Sequence, residues 1–481
     1  MKNKSEVRNS KYKTNPNFQN INFQIVDTTL IIRILNLFRD SKFGFRYLNI
    51  LLFVFCCLLF FSACRERVVP PDDKPPYVPP IVLTAEDIGV TDAFIRLKFL
   101  DTSNVQAKTF KLTRDGKPLI TNTLFTNDTL LLDEGLLPKR TYIYKAYRFF
   151  NNTPVDSSAP LTITSMDSTS HNFNFEVFYL GDGNSSVLRD VFILNDTLAY
   201  AVGEIYKKDS TGQFDTDAYN AAVWNGKVWE LKRIQFYTFC GPGSLTGPYP
   251  ANAVFAFDDG EIWIASQSQI AKWKNGVQIS ITCLPVSVNK IWGSSKNNVY
   301  TAGPLGQIGF YNGSSWRRLE SGTNQTINDV WGVQNSSGKS LILCAASNQF
   351  ELGDRRILRI NPQGTVDSIN WRSDRRAASI WFANESRLFV CGGGVFIRRY
   401  DGTWSEQTTI PLYYTYRIRG VANNDVFVAG GFGLVTHFNG VSWFVWENLG
   451  AFIWYSANYS GGMFVAVGQT SNRAVVIIMR R

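Results

Sequence analysis

From His171 onward one short pattern recurs, and it limits the possible folds more than any other feature of the chain. Its clearest copy runs from Asn289 to Trp316, N-K-I-W-G-S-S-K-N-N-V-Y-T-A-G-P-L-G-Q-I-G-F-Y-N-G-S-S-W. Three short β-type runs are separated by turns, and a fourth begins at Trp316. The first run recurs as Asp190-Val191-Phe192, Ala253-Val254-Phe255, Lys290-Ile291-Trp292, Asp329-Val330-Trp331, Ser379-Ile380-Trp381, Arg417-Ile418-Arg419 and Phe452-Ile453-Trp454. The second ends on a small residue: Val202, Ala265, Ala302, Cys344, Cys391, Ala429 and Ala466. The third leads into Trp224-Asn225-Gly226, Tyr311-Asn312-Gly313, Tyr400-Asp401-Gly402 or Phe438-Asn439-Gly440. Asn-Gly and Asp-Gly permit the positive φ of a two-residue hairpin. The fourth opens with Trp229, Trp316, Trp404 or Trp443.

A period of roughly 40–45 residues is that of a propeller blade. Each blade is a twisted four-stranded sheet that cannot bury both faces alone, and closing a ring buries them. Seven copies therefore predict a seven-bladed β-propeller over residues 171–481. The seventh copy stops at its third run, Ala474 to Ile478, while a spare run, Asn172 to Tyr179, precedes the first. That spare run is expected to complete the seventh blade. Trp292, Trp331, Trp381 and Trp454 are expected to pack between blades, because recurrence at one repeat position is what core packing requires. Arg419 breaks this column and reads either as a ligand contact or as a paired structural arginine.

The pattern resembles the tryptophan-glycine repeat propellers of bacterial surface lipoproteins, and more distantly the BNR and two-component-regulator propellers. That resemblance implies the fold and little about activity. Asp401-Gly402-Thr403-Trp404 resembles the Asp-box of sialidases but lacks its residue between Asp and Gly. It reads more simply as a hairpin turn.

Chemistry is sought where the repeat is interrupted. Insertions fall at Glu204 to Asn220, Tyr237 to Tyr249 and Ala346 to Arg356. All lie in connections that share one propeller face, and loops lengthened on one face commonly mark the binding side. Tyr237, Phe239, Tyr249, Phe350, Arg355 and Arg356 are the candidate contacts, suited to stacking on a sugar ring or a protein partner. Mutual surface cover is the alternative. Asp209, Asp215 and Asp217 fail the EF-hand spacing, and no metal or cofactor is expected. With His171 and His437 the only histidines, a histidine-based triad or multi-histidine zinc site has no material. A carboxylate pair meeting across the ring would be the mark of a glycan hydrolase or lyase. Aromatics and arginines without such a pair would mark a binding module.

The N-terminal region points to an anchor. Leu48 to Phe61 is an apolar run behind Lys42 and Arg46, followed by Ser62-Ala63-Cys64. Positive flank, short apolar core and small exit residues mark a secretory signal, too short for a comfortable membrane span. Phe61-Ser62-Ala63-Cys64 resembles the lipobox of bacterial lipoproteins, with Phe61 departing from the usual Leu. The resemblance implies cleavage between Ala63 and Cys64 and lipidation of Cys64. Residues 1–64 then form a signal or leader segment, of which residues 1–41 are expected to reflect a misassigned start. Residues 65–80 hold six prolines and form an extended linker. Cys56 and Cys57 lie in the signal, and Cys344 and Cys391 pack like Ala. An oxidising compartment permits a disulfide between Cys240 and Cys283.

Residues 81–166 alternate as strands. Leu137-Pro138-Lys139-Arg140-Thr141-Tyr142-Ile143-Tyr144 resembles the E–F corner of fibronectin type III domains. Tyr142 would be the tyrosine that pins it, and Phe94 or Ile95 would replace the missing strand-B tryptophan. A β-sandwich spacer is expected there. The net charge of +10 does not indicate nucleic-acid binding. Nine Lys/Arg against three acids sit in residues 1–64, and no basic stripe follows.

The sequence thus predicts an all-β lipoprotein, a fibronectin type III-like β-sandwich followed by a seven-bladed β-propeller. It would be tethered at the cell envelope, at the outer membrane, as a non-catalytic binding or scaffolding module for an extracellular or periplasmic protein or glycan. A propeller enzyme acting on surface glycans is the alternative.

Overall fold

Tight turns and β-branched runs dominate the sequence, and the computed structural model is built from strands, with no helix among the described residues. It describes residues 80–100, 108–334, 338–348, 353–371, 374–447 and 449–481. The signal segment, Ala63, Cys64, most of the proline-rich linker and Phe350 lie outside these.

The first eight strands form two sheets around one core. Strands β1 (Ile81–Ile88), β2 (Asp92–Phe99) and β5 (Asp128–Glu134) make the first. The second joins β3 (Lys108–Arg114), β4 (Lys117–Leu124), β6 (Thr141–Phe150), β7 (Thr153–Ser157) and β8 (Leu161–Thr164). Alternation decides what faces inward. Ile95, Leu97, Phe110, Leu112, Tyr142 and Tyr144 share the core. Leu137 N–H donates to Tyr142 Oη at 2.7 Å, which ties the chain entering β6 to its first turn. Phe94 points away from this core and is buried beside Tyr400, ring centroids 5.9 Å apart. Ile95 therefore takes the core position and Phe94 serves a junction.

The remaining strands form a β-propeller. Among the described residues there are seven four-stranded antiparallel sheets, spanning 187–232, 253–283, 290–320, 327–369, 377–406, 415–446 and 453–480. The last gains its fourth strand from β9 (Asn174–Leu180), which pairs with Ala474–Arg480 in the register Val475↔Tyr179 and Ile477↔Val177. First strands of successive sheets pack side by side, and that of the seventh packs on that of the first. The two ends of the chain segment thus close the ring through a backbone ladder.

Glycine sets the spacing between sheets. A Cβ at Gly332 would lie 2.5 Å from the Trp292 ring, and one at Gly420 would lie 2.9 Å from that of Trp381. Each tryptophan therefore fills a notch in the neighbouring sheet. Trp331 is half-buried and donates Nε1–H to Phe382 O at 3.0 Å, also across a sheet boundary.

Three expectations need correction. The turns are not two-residue hairpins: Trp224 pairs with Trp229, Tyr311 with Trp316 and Phe438 with Trp443, leaving four residues between. Only the glycine takes positive φ, 91° at Gly226 and 94° at Gly313. Asn225 and Asn312 instead accept two backbone N–H bonds each through Oδ1, which is what Asn offers a turn. In the seventh sheet Ser456 faces Val467, after the same register shift that precedes Asp190, Asp329, Ser379 and Arg417. Ser456, not Phe452, occupies the position of Asp190, so Trp454 is buried outside the Trp292 column. In the fourth sheet Asp329 faces Ala345, and Cys344 lies one residue off the small-residue column.

The sandwich docks on the propeller through hairpin ends. Arg387 donates to Asp87 at 2.7 Å and Asp92 at 2.8 Å, all three largely buried. Ser386 Oγ donates to Asp87 and Tyr400 Oη to Glu86. Arg399 pairs with Glu134 at 2.9 Å.

Candidate functional site

The strand Ala377–Asn384 runs from one end of the propeller to the other. Its Asn384 end reaches the hairpin that holds the sandwich. Its Ala378 end opens on a cavity of about 410 Å³. The cavity is built at the start of the first strands, where the repeat places Arg189, Asn252, Asn289, Asn328, Ala378, Tyr416 and Tyr455. Thr326, Ser347, Asn348, Arg376, Tyr414 and Arg417 complete its wall. Each of the seven positions immediately precedes Asp190, Ala253, Lys290, Asp329, Ser379, Arg417 or Ser456. The cavity is therefore the mouth of the propeller axis.

Directly beneath lies a buried belt of charge. Lys290 Nζ donates to Asp190 Oδ1 at 2.5 Å, and Ser456 Oγ to the same oxygen at 2.7 Å. Val254 N–H reaches the other oxygen of Asp190 at 3.0 Å. Arg419 binds Asp329 with both terminal nitrogens, each 2.8 Å from a separate oxygen. Ser379 Oγ also donates to Asp329, and Arg417 Nε donates to Ser456 at 3.2 Å. Arg417 Nη1 lies 2.6 Å from Asp329 Oδ1 but lacks hydrogen-bond geometry, so this contact balances charge without satisfying the donor. Burial alone would raise the Asp329 carboxyl, but the Arg417 and Arg419 charges hold it well below the usual carboxylate range. Burial pulls Lys290 down to about 8. One carboxylate surrounded by two guanidiniums leaves positive charge under the cavity floor.

The walls are positive too. Arg376 stacks on Tyr414, Cζ 3.8 Å from the ring centroid. Its Nε is buried without a hydrogen-bond partner. Burial lowers its basicity from the ordinary arginine value. Tyr414, Tyr416 and Tyr455 make a chain of edge contacts, centroids 4.4 and 5.3 Å apart. Neither Asp nor Glu lines the cavity among the described residues.

Among the described residues, none of the arginines and aromatics predicted in the insertions lines this cavity. Arg419 is 2 % exposed and spent on Asp329, which makes it a paired structural arginine and not a ligand contact. Tyr237 is half-buried in a two-stranded ribbon, Phe236–Tyr237 with Thr246–Gly247, where Gln269 clamps its backbone at both N and O. Phe239 is exposed, and Tyr249 packs against the core between the first two sheets. Arg355 is buried and donates to Asp374 O at 2.8 Å, while Arg356 pairs with Asp354. Cys240 and Cys283 are joined by a disulfide, Cα atoms 6.0 Å apart. The bridge links the tip of the second insertion to the edge strand of the second sheet. Cys344 and Cys391 are buried thiols whose titration burial pushes up, Cys391 to about 12.

Asp209, Asp215 and Asp217 do not converge. Asp209 caps its own turn through Thr211 and Gln213, and Asp215 pairs with Arg233 at 2.7 Å. The two histidines, far apart in sequence, do meet: Nδ1 to Nδ1 is 2.8 Å. His437 Nε2 lies 2.8 Å from Asp425, which also takes Arg481. Burial first, and the neighbouring His437, lower His171 to about 4.

The first-strand residues of the mouth went unread because the polar positions at 189, 252 and 289 look like ordinary loop ends. The available signal was their recurrence one residue before the repeat's first run.

This site and topology define a β-propeller protein. No protein-family model matches the chain, and no curated protein matches it. Among solved structures the chain is similar to YCF48 bound to D1 peptide, at 17 % identity and TM-score 0.46 over 65 % of this chain and 96 % of that one. It is similar to the WD40 β-propeller domain of Doa1, at 14 % identity and TM-score 0.46 over 64 % and 98 %. It is also similar to the extracellular domain of the one-component system BT4673 of B. thetaiotaomicron, at 12 % identity and TM-score 0.44 over 63 % and 39 %. These likenesses concern the fold.

Proposed function

We propose that this chain is a non-catalytic binding protein of the bacterial cell envelope. Its seven sheets act as the blades of a seven-bladed propeller, and residues 81–166 act as a fibronectin type III-like spacer. The observation that carries the binding reading is the axial cavity. Arginines, tyrosines and carboxamides converge there with no carboxylate among the described lining residues, so the described wall of this axial recess lacks the acid pair of a glycan hydrolase. A concave site with a few directed polar groups on a rigid scaffold is what ligand capture needs.

The spacer supports the same reading. It grips the hairpin end of the propeller, opposite the cavity. The binding reading is tested by incubating the purified full-length chain with polysaccharides and protein extracts of the envelope. Retention without new reducing ends, unsaturated sugars or peptide cleavage is expected, and turnover would overturn it. Anchoring is tested separately by fractionating cells that carry Cys64→Ala. Release of the variant from the membrane fraction is expected, and unchanged membrane retention would rule out lipidation at Cys64.

A further inference from the structure

We propose that the axial cavity takes a carboxylated sugar, a uronate or similar acidic pyranose at the end of a glycan. This rests on the binding reading above and names its ligand class.

Charge comes first. Arg189 and Arg376 both line the cavity, and neither makes an ion pair or side-chain hydrogen bond with any described residue. The more deeply buried arginines have their carboxylates: Arg387 has two aspartates and Arg419 has Asp329. An arginine held against Tyr414 with a buried, unpartnered Nε carries an unmet donor in a recess of reduced water access. Such a donor costs free energy unless a ligand accepts from it. The belt below adds the incompletely satisfied Nη1 of Arg417. Three guanidinium groups facing one recess with no acid among its described lining residues select an anion. The planar fork of arginine matches a carboxylate in particular.

The rest of the wall argues for a sugar over a peptide. The side-chain amides of Asn252 and Asn289 make no hydrogen bond with any described residue. Each offers two donors and an acceptor, which suits neighbouring hydroxyl groups. Tyr416 and Tyr455 supply half-buried ring surface for the C–H face of a pyranose. A peptide C-terminus would also satisfy the arginines, but its last side chain needs an apolar slot. Among the described lining residues the only aliphatic one is Ala378. The volume, about 410 Å³, lies at the lower end of the roughly 300–1,000 Å³ of small-ligand sites, which limits the bound element to a terminal one.

The test is titration calorimetry on the full-length chain with three probes: D-glucuronate, D-glucose and an acetylated tripeptide with a free C-terminus. Glucuronate is expected to bind at least about ten-fold more tightly than glucose and than the tripeptide. Arg376→Gln and Arg189→Gln are each expected to lower glucuronate affinity about five-fold or more while leaving the melting temperature unchanged. Asn252→Ala should weaken glucose and glucuronate alike. Equal affinity for glucose and glucuronate, preference for the tripeptide, or no binding of any probe overturns the acidic-sugar assignment. Binding of glucose or tripeptide at the cavity would leave the non-catalytic binding reading intact. Cleavage of a uronate-containing polymer would remove that reading while leaving acid recognition standing.

Discussion

The two ends of the propeller use the same residue type to opposite purposes. At the hairpin end Arg387 enters a junction where Asp87 and Asp92 already wait, and the three groups are buried together. At the other end Arg189 and Arg376 border a cavity with no carboxylate among its described lining residues. The first arrangement is a completed ion cluster that holds one part of the chain to another. The second is the same chemistry left open. The difference lies in the supply of partners and not in the arginines themselves. An arginine is a structural element when the fold provides its anion, and a recognition element when the anion has to arrive.

Between the ends lies the belt around Asp329, and breaking it should have the largest effect. Asp329→Ala would leave Arg417 and Arg419 buried without their shared carboxylate. A loss of about 3–5 kcal/mol is expected from removing one partner of a buried pair, read from chemical denaturation. A change under about 1 kcal/mol would mean that the belt is hydrated or rearranges. At the hairpin end, Arg387→Ala is expected to cost somewhat less, about 3 kcal/mol, since Ser386 and Tyr400 still hold the junction. Limited proteolysis between Met166 and His171 should show it, because cleavage there requires the sandwich to lift. Resistance equal to the wild type would show that the junction does not depend on this cluster.

The histidine contact gives a smaller, pH-dependent effect. The His171 value is lowered in the folded protein, to about 4 from the ordinary 6.5. The folded state therefore disfavours the proton that the unfolded chain accepts. Stability is fully present above about pH 6.5 and is lost as pH falls toward about 4. His171→Phe should flatten that decline in a series of thermal melts, and an unchanged slope would assign the acid sensitivity elsewhere. The smallest effect on stability is expected at the open end. Arg376→Gln should alter it by no more than about 0.5 kcal/mol, as for most substitutions without a buried partner. A larger loss would place Arg376 with Arg387 as a structural arginine and erase the contrast between the two ends.

Much of the architecture was legible in the chain itself. The recurrence from Asp190 to Arg419, the small second-strand residues and the Asn-Gly turns all depend on local periodicity, and a strand's period of two survives in any context. The closing pair, Ala474–Arg480 with β9, could be anticipated because an incomplete last sheet must find a strand and one was spare. Tyr142 could be placed because its partner Leu137 lies five residues away. In the seventh copy, where Ser456 and not Phe452 takes the position of Asp190, reading by alternation slipped by four residues, because an even shift leaves a period of two unchanged.

The site was less legible, because its residues are neighbours only around the ring. Arg189 lies in the first sheet and Arg376 just before the fifth, and nothing in either's surroundings in the chain says whether an acid faces it. Arg419 could be read from sequence as a ligand contact or as a structural residue, and only the approach of Asp329, ninety positions away, decided it. His171 and His437 became a pair in the same way. The chain by itself determined which residues would alternate, turn and repeat, because those depend on backbone geometry over a few residues. Which charges are paired and which are left open is set by long-range electrostatics, and that was decided only when the ring closed.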